Sequence, residues 1–254
     1  FLRSIITVPS VLLLVWVTKV TLRNLAKQDI RLIWLRVGAE ICTTFAFLTA
    51  LKYMPLANVT AILQALPLAV TMAAALFLAE PIGWRRWSAI LVGFMGVLIV
   101  VRPGLDGFNV YSLSALAAII FITVREIATR KLAQEVPTIT VVLSTAIGSA
   151  VFAGIMMVGA EWHAVSTSSW LLLIGAAFAV LIATLLSVMA MRTGEIGYVS
   201  PFRYTSMIGA IGLGILMFGE WPDQPTLAGT LIIVITGIYT FHREQKVSTG
   251  VTAS

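Results

Sequence analysis

Five charged side chains stand inside otherwise apolar runs: Arg36, Glu40, Arg125, Glu126 and Arg203. On insertion scales a charge at the middle of a membrane helix costs ~2.5–3.5 kcal/mol, so such groups face a partner or a wet cavity. Arg36 and Glu40 are four residues apart and share a helix face, which Thr43, Thr44 and Phe47 continue. Two readings are open for them: a self-neutralising pair against a neighbouring helix, or the lining of a cavity. Arg125 either snorkels to the headgroups or joins the same polar layer. Glu126, with its shorter side chain, belongs to that layer. Ser200, Arg203 and Tyr204 fall at i, i+3 and i+4 and form one stripe, which Thr60 and Gln64 answer in the first half of the chain. Arg203 offers a planar fork of donors for a carboxylate, phosphate or imide-like edge. Alternatively it is a counter-charge to Glu126 or Glu40. Tyr204 adds a flat face and a hydroxyl.

This chemistry binds solutes and breaks no bonds. The only histidines, His163 and His242, form no ligand pair, and Cys42 is a lone cysteine in an apolar run, so neither a metal nor a disulfide is expected. A nucleophile elbow, paired aspartates and a Walker phosphate loop are all missing from the sequence, so no catalytic residue, no cofactor and no direct use of ATP are expected. The substrate-binding candidates are therefore Arg36, Glu40, Thr60, Gln64, Glu126, Ser200, Arg203 and Tyr204, acting on a small molecule.

The elements that must position them are membrane helices. Of 254 residues, 59% are hydrophobic and 11% charged, where a soluble domain has about 45–50% and about 25%; the mean hydropathy is +0.99. The net charge of +6 rests on few, scattered basic residues, which fits membrane orientation better than nucleic acid. Nine apolar runs, at 4–20, 30–51, 57–79, 87–101, 110–129, 138–159, 169–191, 196–219 and 226–242, predict an all-α polytopic bundle. Trp84, Trp87, Trp162, Trp170 and Trp221 fall near run ends, as an interfacial belt does. Gly93, Gly96, Gly209, Gly212 and Gly214 are read as points of close helix approach. Pro9, Pro67 and Pro201 are read as breaks or starts in the helix ladder, and Glu80 and Glu220 as local caps at equivalent helix ends. Lys19, Arg23, Lys27, Arg31, Arg85, Arg86, Arg130, Lys131, Arg192, Arg243 and Lys246 mark one set of alternate ends, and Arg3, Lys52 and Arg102 the other. By the positive-inside rule the C-terminus is cytoplasmic.

A shift of 140 residues superposes Thr60 on Ser200, Leu76 on Leu216 and Glu80 on Glu220, together with the helix boundaries. The unit holds five helices, and an odd number of crossings inverts the second copy, as in many secondary transporters. Residues 1–103 form the first repeat, 104–243 the second, and 244–254 a polar cytoplasmic tail. The 110–129 helix has no partner in the first repeat, so the complete bundle is expected to have ten spans, with the first preceding this chain.

The stretch LKYMPLANVTAILQALPLAVTMAAALFLAEPIGWRRWSAILVGFMGVLIVVRPG resembles the EamA-type branch of the drug/metabolite transporter superfamily, through Pro55-Leu56-Ala57, Pro67-Leu68, Glu80, Trp87, Gly93 and Gly96. The second half answers with AMRTGEIGYVSPFRYTS, Glu220, Gly229 and Gly237. The resemblance covers nearly the whole chain. It implies two inverted five-helix repeats around a substrate cavity and transport of small metabolites without ATP hydrolysis. ALKYMPLANVTAILQALPL and MRTGEIGYVSPFRYTS also look like a bacterial subgroup linked to riboflavin uptake. The expected function is secondary transport across the bacterial inner membrane by alternating access, of riboflavin or a similar aromatic metabolite; the alternatives are export of amino acids or drug-like solutes by the same fold and, behind these, an intramembrane enzyme or a structural membrane protein. The expected partners are the solute and the lipid bilayer, with no nucleic acid; a homodimer is left open.

Overall fold

The computed structural model describes residues 2–19, 25–79, 82–104, 108–158, 166–192, 204–219 and 221–251. Every regular element among them is helical: α1 (Leu2–Thr18), α2 (Lys27–Tyr53), α3 (Leu56–Leu63), α4 (Leu66–Phe77), α5 (Trp84–Val101), α6 (Ser112–Arg130), α7 (Thr138–Met156), α8 (Thr167–Arg192), α9 (Thr205–Leu213) and α10 (Gln224–Val251). A π-helical turn, Gly214–Phe218, prolongs α9. Six stretches are long and apolar enough to cross a bilayer: α2, the α3–α4 run, α5, α6, α7 and residues Trp170–Arg192 of α8. Leu2–Thr18, Thr205–Met217 and Gln224–Thr240 are apolar but shorter. The protein is an all-α polytopic membrane protein. Helices are the element such a sequence must form, because hydrocarbon offers no partner to an unpaired backbone N–H or C=O. Trp16, Leu76, Phe77, Leu91, Leu172 and Leu216 are exposed on helix faces, as side chains turned to lipid tails are. Trp84 and Trp221 are exposed at helix ends, and Trp87 is half-buried.

The 57–79 run is two helices. Pro67, in the first turn of α4, has no N–H to return to the carbonyl of Leu63. The chain closes α3 tightly instead, with Gln64 N–H bonding to the Thr60 and Ala61 carbonyls (3.1 and 3.3 Å) and Ala65 N–H to the Ile62 carbonyl (3.1 Å). Pro9 is different: α1 runs through it unbroken.

Two compact units are present, Phe1–Ile41 with Val124–Gly194, and Cys42–Thr123 with Glu195–Ser254. The core of the first comprises Val11 of α1, Ile33 and Val37 of α2, Ile139 and Val142 of α7, and Leu181 and Val188 of α8. The core of the second comprises Ile62, Leu68, Ile90, Val97, Ile119 and Ile233, from α3, α4, α5, α6 and α10. In the second unit α5 and α10 cross at Gly96 and Gly229. A Cβ on Gly96 would lie 2.8 Å from the Gly229 carbonyl oxygen, and one on Gly229 2.6 Å from that of Gly96. Gly93 is equally closed in, by Leu68 and Thr236. The close-approach reading fails at Gly209 and Gly212, where an added Cβ meets nothing within 4 Å.

Arg102 closes α5 in a left-handed conformation (φ 52°, ψ 53°), and its guanidinium pairs with Asp223. Asp223 precedes α10 and accepts the backbone N–H of Thr226 at 3.0 Å through its other oxygen, the arrangement of an N-cap. The Arg102 hydrogen bond, aided by Thr226, holds the Asp223 carboxyl below its ordinary range. A carboxyl depressed in the fold stabilises it above the unfolded pKa and loses that effect as pH falls through the folded one. Because Asp223 is half exposed, the pair is worth little, ~0–1 kcal/mol.

Three substitutions test this packing and the Arg102–Asp223 pair. Gly229→Ala should lower the monodisperse yield from detergent extracts on fluorescence-detected gel filtration, overpacking of this kind costing ~1–3 kcal/mol. Gly209→Ala should leave it unchanged or raise it slightly, since alanine is favoured over glycine by ~0.5–1 kcal/mol inside a helix. Asp223→Asn should barely alter the melting temperature at neutral pH but flatten its decline below about pH 4, the ordinary carboxylate range; a melting series from pH 7 to pH 3 measures this.

Candidate functional site

The first unit holds a cluster of charged side chains from two helices. α2 presents Arg36 and Glu40, and α6 presents Arg125 and Glu126. At ~1.5 Å per residue Glu40 stands about 20 Å along α2. Glu40 Oε2 accepts a hydrogen bond from Arg125 Nη1 at 2.7 Å, and Arg125 Nη2 lies 3.6 Å from Glu126 Oε1. Glu126 is buried, and the Arg125 and Glu40 side chains are only 19% and 20% exposed. Arg125 therefore does not snorkel; it bridges two carboxylates.

Arg36 is 2% exposed, and of the two open readings its direct hydrogen bonds do not follow the pairing with Glu40. Its Nε donates to Thr129 Oγ1 at 2.8 Å and its Nη1 to Thr145 Oγ1. Each threonine hydroxyl donates in turn to the carbonyl four residues back, Thr129 to Arg125 and Thr145 to Val141, both at 2.8 Å. That bond uses the hydroxyl proton and leaves lone pairs for the guanidinium. Helix spacing alone permits the Arg36–Glu40 pair. A partner on a second helix prevails because Arg125 reaches Glu40 directly. Threonine in an apolar run is common enough that Thr129 and Thr145 carried no signal in the sequence.

Beside this cluster is a small cavity of about 40 Å³, lined by Arg3, Ser4 and Thr7 of α1, Glu40 of α2, Thr145, Ala146 and Ser149 of α7, and Thr184 of α8, among others. Sequence reading had singled out none of these hydroxyls.

The second unit holds three of the other candidates. Gln64, at the break between α3 and α4, is 3% exposed and donates from Nε2 to Ser206 Oγ of α9 at 3.3 Å. Thr60, one turn earlier, is half-buried. Tyr204, just before α9, is 8% exposed and packs on Gly237 of α10, where a Cβ would overlap its ring. The structure thus brings Arg36, Glu40 and Glu126 together in one unit, and Gln64 and Tyr204 into the other. Ser200 and Arg203 lie outside the described residues, as do Glu80, Trp162, Pro201 and Glu220.

The fold and these groups define a class: a helical membrane protein that keeps compensated charges and amide and hydroxyl groups inside its spans. The EamA-like transporter family model matches residues 1–102 and 110–241, and the chain belongs to that family. It is 29% identical over 216 residues to a riboflavin transporter of Vibrio cholerae, the alignment covering 84% of this chain and 72% of that one. It is 26% identical over 199 residues to an S-adenosylmethionine uptake transporter of Rickettsia conorii, covering 77% and 66%. It is 25% identical over 216 residues to a pseudopaline exporter of Pseudomonas aeruginosa, covering 84% and 76%. The chain thus spans about two thirds to three quarters of the length of these relatives. A crystal structure aligns with 93% of this chain and 85% of its own, with a TM-score of 0.69 at 19% identity, a likeness of fold alone.

The bridging of two carboxylates by Arg125 makes a test of the cluster. Glu40→Gln should lower folded yield sharply, since breaking a buried pair from one side costs ~3–5 kcal/mol. Glu40→Gln combined with Arg125→Gln should recover part of that loss. The coupling is read from thermal melts of the two single variants and the double; additive losses would mean that the pair contributes nothing to stability.

Proposed function

We propose that this protein is a secondary transporter that carries a small metabolite across the bacterial inner membrane by alternating access between its two inverted five-helix repeats. The observation that carries this reading is the Arg36–Glu40–Arg125–Glu126 cluster held deep in membrane helices, where ionised groups are functional by default, in a chain of the EamA-like family. The separate matches to residues 1–102 and 110–241 support reading 1–103 and 104–243 as repeats. The basic residues at alternate ends support a cytoplasmic C-terminus.

Riboflavin or a similar aromatic metabolite is the first candidate solute, supported by the Vibrio cholerae relative. The substrate-contacting residues in this reading are Arg36, Glu40, Thr60, Gln64, Glu126, Ser200, Arg203 and Tyr204. The second reading is export of an amino-acid-like solute, favoured by the pseudopaline exporter's similarity. The protein is a carrier and not an enzyme: solute should leave the site chemically unchanged.

Purified protein in liposomes tests the reading. Riboflavin should enter protein-bearing vesicles faster than protein-free ones and be recovered intact. Arg203→Lys, which keeps the charge and loses the planar fork, should raise the half-saturation concentration several-fold at normal membrane expression. Chemical conversion of the solute, or no flux of riboflavin, aromatic metabolites or amino acids, would overturn the reading.

A further inference from the structure

The cavity beside Glu40 has a composition that the charge cluster alone does not require. Ser4, Ser149 and Thr184 line it from α1, α7 and α8. None of the three hydroxyls bonds to another group among the described residues, although Thr7 and Thr145 beside them donate to their own helix carbonyls. Ser4 is 9% exposed. Ser149 and Thr184 are half-buried, so the three hydroxyls lining one cavity from three helices are donors open to an acceptor placed in it.

The local charge says which kind of acceptor. Arg36, Arg125, Glu40 and Glu126 are within electrostatic reach of one another, and Arg3, which lines the cavity, is within reach of Glu40. Among the described residues of this cluster, three guanidinium groups face two carboxylates, leaving one positive charge in surplus. The surplus therefore opposes a metal cation, although the oxygen lining alone would suit a hard cation. It favours an anion, and Arg36 reaches the lining through Thr145, which accepts its hydrogen bond. About 40 Å³ exceeds the ~10–15 Å³ that one water needs and is on the scale of a single small polar group.

We infer that this cavity receives an anionic oxygen group, a carboxylate or a phosphate, carried by the transported solute. The hydroxyls of Ser4, Ser149 and Thr184 donate to it, and Arg3 supplies the charge. The inference rests on the transporter reading and narrows its substrate class to metabolites bearing such a group.

The test uses the full chain in phosphatidylcholine nanodiscs. Thermal unfolding is followed in sodium acetate, sodium phosphate and sodium chloride at equal ionic strength and neutral pH. A ligand that binds only the folded state raises its stability by mass action. Acetate or phosphate should raise the melting temperature above the chloride value. The Ser149→Ala/Thr184→Ala variant, and separately Arg3→Gln, should lose more than half of that increment. An equal increment in wild type and both variants is a general salt effect and overturns the site. Stabilisation by phosphatidylglycerol nanodiscs but by neither free anion assigns the site to a lipid headgroup and overturns the solute assignment. Liposome flux is measured in parallel with riboflavin and its 5′-phosphate. Faster flux of the phosphate, lost in the hydroxyl variant, supports the inference. Flux of riboflavin with no anion effect overturns the inference and leaves the transporter reading standing. Anion binding without flux of any solute overturns the transporter reading instead.

Discussion

A charge placed in hydrocarbon must be answered by another group, and in this protein Arg125 answers two. Taking an ion from water into a membrane interior carries a penalty of several kcal/mol even after relaxation, and a single good contact seldom offsets it. Arg125 lies between Glu40 and Glu126, while Arg36 is neutralised more remotely and hydrogen-bonded by Thr129 and Thr145. α2, α6 and α7 are thereby tied together by groups that have no alternative partner in lipid. Apolar packing between helices is weakly specific where the surrounding lipid is just as apolar. The polar ties set the register of these three helices, and the apolar contacts of Ile33, Val37 and Val142 fill in around them.

The second unit solves its packing problem differently. No charge cluster comparable to that of α2 and α6 is found among its described residues. Shape takes over: Gly96 and Gly229 bring α5 and α10 to backbone contact, and Tyr204 fits where Gly237 has no side chain. Both devices occur in each unit, since Gly148 of the first is closed in by Val37 and Arg102 of the second pairs with Asp223, but the deep charge cluster belongs to the first and the glycine crossing of α5 and α10 to the second.

Much of this was legible in the sequence because hydrocarbon imposes coarse rules. Run length and apolarity place six of the runs, 4–20, 30–51, 87–101, 110–129, 138–159 and 169–191, within a few residues of a helix, whereas 57–79 is two helices and the helix over 226–242 runs on to Val251; the charged residues in the runs mark where the interior is polar. Pairing was less legible. Glu40 sits at the same spacing from Arg36 that a helical salt bridge uses, and nothing in a one-dimensional pattern reveals that Arg125 is nearer. The hydroxyls of Ser4, Ser149 and Thr184 were invisible because each is unremarkable on its own helix; only their convergence distinguishes them. Glycine was half legible: Gly93 and Gly96 do receive a neighbouring helix, whereas Gly209 and Gly212 do not, and the residue type is the same in both cases. Ser200 and Arg203, the strongest sequence candidates, lie outside the described residues.

The interruption at Gln64 and Ala65 has a consequence for how the chain enters the membrane. α3 has eight residues, about 12 Å of helix, far less than the ~30 Å hydrocarbon core. α4, with 12 residues, is also too short to cross alone. Neither is a unit that insertion machinery can commit to the bilayer by itself. The two must be delivered as one 22-residue segment, Leu56–Phe77, whose summed apolarity carries the break across. The break is thus carried as a passenger during synthesis, and the polar character of Gln64 has to be tolerated before its contact with Ser206 of α9, made far later in the chain, can exist. Any gain in polarity at this point is limited by the hydrophobic surplus of the residues around it, so biogenesis constrains this site independently of whatever it does once folded.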